Sequence, residues 1–116
     1  MTITREHLEL AALAAGHTIG WGEETPCQPH VAYIWNADGK TSRWWRPHLD
    51  DGDTGRLCTK LQMDVQWGRD WVAAARGLID RICRHDGTET EKLRAWREAV
   101  TLCAAAVGER MRKGGA

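Results

Sequence analysis

Arginine and tryptophan are interleaved at Arg43-Trp44-Trp45-Arg46, a combination suited to stacking on nucleic-acid bases or to anchoring a protein interface. In an extended strand successive side chains point to opposite faces, so Trp44 and Trp45 cannot both enter one core face. A sheet covered by helices on both sides would bury both. Otherwise one of the pair, with Arg43 or Arg46, is left as an exposed contact. Trp21, Trp35, Trp67 and Trp71 carry the same ambiguity.

Asp50, Asp51 and Asp53 gather carboxylates that a hard cation such as Mg²⁺ or Ca²⁺ would accept. The spacing is not that of an EF-hand, and no downstream Glu completes one. Helix capping is the expected role, because Asp at an N-cap and in a first turn satisfies free N–H groups and suits the helix dipole. Cys27-Gln28-Pro29-His30 has the two-residue spacing of half a zinc site, and Cys83-Arg84-His85 is a looser second half. No C-x-x-C pair supports a tetrahedral set, so these four are weak metal candidates and no metal or cofactor is expected. Cys58 and Cys103 fall on apolar helix faces, where a free thiol packs as a small hydrophobe. Without a secretion signal, disulfides are not expected. Five histidines and four cysteines make chance pairings easy, but no G-x-S-x-G, H-E-x-x-H or phosphate-binding glycine loop occurs. No catalytic residue is assigned.

The elements that must position these residues are legible in part. A helix is expected from Thr4, its cap, to Gly16, with Ile3 and Leu8 forming a hydrophobic staple and Leu8, Ala11, Ala12 and Ala15 an apolar stripe. Two or three antiparallel strands follow between 17 and 46, with a hairpin at Asp38-Gly39. A loop from Pro47 runs into a helix ending near Gln62, and residues 63–67 alternate as a strand. Over 69–85, helical spacing of Trp71, Val72, Ala75, Leu78, Ile79, Ile82 and Cys83 competes with two short strands. Thr88 and Glu91 form a capping box for a long last helix. Its seam of Leu93, Trp96, Val100, Cys103 and Val107 is expected to lie on the chain's own sheet, though a homodimer could also use it.

The run from Trp44 to Leu61, with Trp45, Pro47, Asp50, Asp51, Gly52, Asp53, Arg56, Leu57, Lys60 and Leu61 at the spacing W-x-P-x-x-D-D-G-D-x-x-R-L-x-x-K-L, resembles the phage ABA sandwich domain family of small tailed-phage and prophage proteins. The first and last helices resemble that family's as well. The resemblance implies an α+β fold, an α-β-α sandwich with an antiparallel sheet of about four to five strands and N-terminal, central and C-terminal helices. It also implies strands at 71–76 and 78–84, against the helical periodicity. This chain departs from the pattern in its four cysteines, its many tryptophans and Arg46, where relatives usually show a small polar residue. The family brings an origin and a fold, not an activity.

The chain has 116 residues, 42% of them hydrophobic, enough for one domain over 1–116 with a core of its own. Sixteen basic and sixteen acidic side chains cancel. Local imbalance is small: residues 1–40 carry two basic and five acidic groups, 41–85 eight and six, 86–116 six and five. Neither a general polyanion binder nor an acidic DNA mimic is indicated. No apolar run approaches a membrane span, and no membrane partner is expected. The expectation is a non-enzymatic phage accessory protein of the bacterial host cytoplasm that binds a host or phage protein, with inhibition of a host defence such as CRISPR as one such role. The alternative is a single-stranded nucleic-acid-binding module using Arg43, Trp44, Trp45 and Arg46. A small metal-dependent enzyme is the third reading.

Overall fold

A computed structural model describes residues 3–114, an α+β fold of three helices and two three-stranded antiparallel sheets. Helix α1 spans Arg5–Ala15 and is held at both ends by its own sequence. Thr4 Oγ1 accepts from the His7 amide, and His7 Nδ1 accepts from the Thr4 amide, so a histidine completes the capping box. At the other end Gly16 takes φ 76°, and the amides of Gly16 and His17 reach back to Leu13 and Ala12.

Strands β1 (Ile19–Trp21), β2 (Ala32–Trp35) and β3 (Ser42–Trp44) form the first sheet, in that order. The β2–β3 turn is locked by Asp38, whose carboxylate accepts from the Lys40 and Thr41 amides, and by Gly39 at φ 68°. Helix α2 (Asp51–Lys60) follows, and then β4 (Asp64–Trp67), β5 (Trp71–Arg76) and β6 (Ile79–Arg84) build the second sheet. The expected single sheet of four to five strands is thus two sheets of three. Each ladder joins strands adjacent in sequence, β1 and β2 through the longer loop 22–31 and the others through shorter connections, and α2 intervenes between the ladders.

The segment that periodicity reads as a helix is the β5–β6 hairpin. Gly77 at φ 63° makes the turn, and Val72, Ala74 and Cys83 go inward while Ile82 stays 59% exposed on the opposite face. A helix would have set Gly77 in its interior, where glycine is disfavoured.

Helix α3 (Glu89–Gly114) occupies the centre. Its middle, Ala99–Ala105 with Val107 and Gly108, is buried nearly all round, between the second sheet on one side and α1 on the other. Val100, Cys103 and Val107 are covered within the chain, while Leu93 and Trp96 of the same seam are half-buried. Thr88 caps α3 by accepting from the Glu91 amide, but the reciprocal half of the expected box is replaced: the Thr88 amide donates to Asp86, and Glu91 instead holds Arg94. Among the described residues, no helix is long and apolar enough to cross a membrane.

Candidate functional site

Period-two alternation divides the Arg43–Arg46 run. Ile34 and Ala32 of β2 face inward, and their cross-strand neighbours Arg43 and Trp45 turn to the same side. Trp45 is 2% exposed, with His17 set edge-on to its ring at 5.8 Å. Trp44 stands on the outer face beside Tyr33, ring centroids 6.1 Å apart and perpendicular, and is 42% exposed. The Arg46 guanidinium lies over the Trp44 ring, 4.8 Å from its centroid.

Asp53 explains Arg43. Its carboxylate, buried at the start of α2, accepts from Arg43 Nη1 at 3.2 Å, Arg56 Nη2 at 2.6 Å and the Arg46 amide at 2.8 Å. It thus ties β3, the connecting loop and α2 together, a role that capping alone does not describe. Asp50 is the N-cap, accepting from the Asp53 amide, and Asp51 receives Arg97 Nη1 at 2.7 Å, joining α2 to α3. All three aspartates are engaged in holding the fold.

The proposed metal halves do not converge. Cys27 and His30 lie in the loop before β2, whereas Cys83 and His85 end β6 beside α3. His85 Nδ1 accepts from the Gly87 amide, which commits that imidazole to the turn before α3. Among the described residues, no three His, Cys, Asp or Glu side chains gather as a metal site. All four cysteines are free, and burial raises the thiols of Cys58, Cys83 and Cys103 above the ordinary range.

What the Arg–Trp run borders is a cavity of about 570 Å³, which sequence reasoning missed. Its wall is assembled from Ile3, the Cys27–Ala32 segment, Trp44 and Arg46 after β3, His48 and Leu49 before α2, and Arg94, Arg97 and Glu98 of α3. Five chain segments meet there, and of their residues Cys27, His30, Trp44 and Arg46 stood out in the sequence. A hint was available: Arg94, Arg97 and Glu98 lie at i, i+3 and i+4 on one face of a helix.

The wall carries three arginines and one carboxylate, Glu98. Arg94 is saturated by Glu91, Glu98 and the Arg84 carbonyl, and Arg97 is paired with Asp51. The Nε atoms of Arg46 and Arg97 and the Nδ1 atoms of His30 and His48 are buried without hydrogen-bond partners. Such groups are uncommon in folded proteins, because each gives up hydration without replacement. Burial, then the nearby His30, Arg46 and Arg97, push the His48 imidazole down to about 4. At neutral pH His48 is therefore uncharged.

That depression has a sign for stability. Above pH 6.5 His48 is neutral folded or unfolded and contributes nothing to the pH dependence. As pH falls from 6.5 through about 4, the unfolded chain takes up a proton that the folded chain resists, so stability is lost. The expected loss from this group is about 2 kcal/mol after allowance for its partial exposure. Urea unfolding at pH 7 and pH 4 checks it: His48→Gln should lose less stability over that interval than the parent chain, by that amount.

Compared with known proteins, the chain matches no family model, no curated protein and no solved structure.

Proposed function

We propose that this chain is a non-enzymatic phage or prophage accessory protein that acts by binding another protein, of the host or of the phage, with Trp44 as the anchor. One observation carries the docking reading. The Arg43–Arg46 run divides into Arg43 and Trp45, committed to the fold, and Trp44 and Arg46, a half-exposed indole with a guanidinium stacked on it beside a concavity. Tryptophan and arginine at a partly preformed recess are the residue types that dominate interface energetics. The balanced net charge favours recognition by shape and aromatic anchoring over electrostatic mimicry of DNA. Blunting a host defence such as CRISPR is one form of this reading, and the phage resemblance is what raises it.

A pull-down from lysate of a phage-susceptible bacterium, with and without nuclease, tests it when run beside Trp44→Ala. The expected result is a stoichiometric protein partner that survives nuclease, with affinity lowered about 30-fold by the substitution. Recovery of nucleic acid alone, lost after nuclease, would replace this reading with single-strand binding. A protein partner held equally well by Trp44→Ala would remove Trp44 from the interface.

A further inference from the structure

Arg46 is the one arginine on the cavity wall that, among the described residues, has no carboxylate within ion-pair distance. Its guanidinium makes no side-chain hydrogen bond there, and its sole stacking partner is the Trp44 ring. Arg94 and Arg97, the other two cations, are each answered by acids: Glu91 and Glu98, and Asp51. Among the described residues, Arg46 is therefore the one arginine of the wall left without a carboxylate partner. Beside it lie apolar surfaces from Ile3, Pro29, Val31, Ala32, Leu49 and the indole of Trp44.

From this arrangement we infer that the cavity is a binding site for a small organic monocarboxylate with an aliphatic or aromatic body, its carboxylate on Arg46 and its body against the apolar wall. The volume of about 570 Å³ falls within the range of small-molecule sites. Guanidinium matches carboxylate in planar, two-pronged geometry, and the association is strongest where apolar walls exclude water. Arg46 offers one unpaired guanidinium, and Glu98 on the same wall would repel a second negative charge. The site shares Trp44 and Arg46 with the proposed docking surface, but titration of the purified chain needs no protein partner, so the two readings fail separately.

Isothermal titration of the purified chain with octanoate and 4-phenylbutyrate, against octanamide, octylamine and phenyl phosphate, tests the inference. Expected is one-to-one binding of the carboxylates, with octanamide and octylamine weaker by about tenfold or more. Arg46→Gln should weaken the carboxylates by a similar factor at unchanged melting temperature, and Arg46→Lys should restore part of the loss. Absence of carboxylate binding would overturn the inference. So would equal affinity for octanamide, tighter binding of phenyl phosphate, or full affinity in a folded Arg46→Gln variant. Should Arg46→Gln not fold, the amide comparison on the parent chain decides alone.

Discussion

Trp45→Ala should destabilise the chain by about 3–5 kcal/mol, whereas Trp44→Ala, one residue away, should cost about 1 kcal/mol. Trp45 is among the largest fully enclosed side chains of the protein, and its ring is part of the core cluster with Ile34, Leu57 and Leu61. Truncation removes the most voluminous side chain available and leaves a cavity that the fixed strand and helix around it cannot close. Trp44 leaves only an edge-on contact with Tyr33 and the stacked Arg46. Urea unfolding of both variants checks the contrast, and the two should exchange roles in binding. Trp44→Ala should lose partner affinity while folded, and Trp45→Ala should lose it only through unfolding. Equal destabilisation by the two substitutions would mean that the alternation in β3 is not as described.

Gly108→Ala should destabilise by about 3 kcal/mol, although alanine is the better helix former by about 1 kcal/mol. The position lies inside α3, where propensity alone recommends the change. A Cβ there would sit 1.9 Å from the Leu10 carbonyl oxygen and 2.6 Å from its carbon. Both are backbone atoms of α1, so no side-chain rotation relieves the contact, and the helices must separate by more than 1 Å against an ordinary carbon–oxygen approach of about 3.3 Å. Separation would loosen Ala11, Ala12 and Ala15 from α3, the small residues that let the two helices lie so close. A melting temperature lowered by roughly 10 °C is the expected reading. An unchanged or raised value would show that propensity prevails and that α1 is free to move.

The same two sites show where sequence reading succeeds and where it stops. The local grammar was readable because its forces are local. Thr4 with Ile3 and Leu8 starts α1 and Gly16 ends it, Asp38-Gly39 turns the β2–β3 hairpin, and Asp50 caps α2, all through contacts within a few residues. Even there, a partner moved: Asp86 took the amide that Glu91 was expected to hold. Helical spacing over 69–85 misled because Val72, Ala74 and Cys83 satisfy a two-residue period equally well, and Gly77 decided between them.

By itself the sequence determined that this is an α+β chain with capped helices at its start, middle and end, balanced in charge, whose Arg–Trp run must present one tryptophan to each face of its strand. Which face would be covered was beyond it, because burial depends on what packs from elsewhere in the chain. Tertiary structure placed α3 between α1 and the second sheet, made two sheets of three strands where one was expected, and enclosed Trp45 while leaving Trp44 out. It alone brought Arg46 and His48 from one end of α2 to Arg94 and Arg97 of α3, more than forty residues away. Charges so far apart in sequence become one wall only when helix packing sets their distance, and that packing is held by buried contacts with no signature in local spacing.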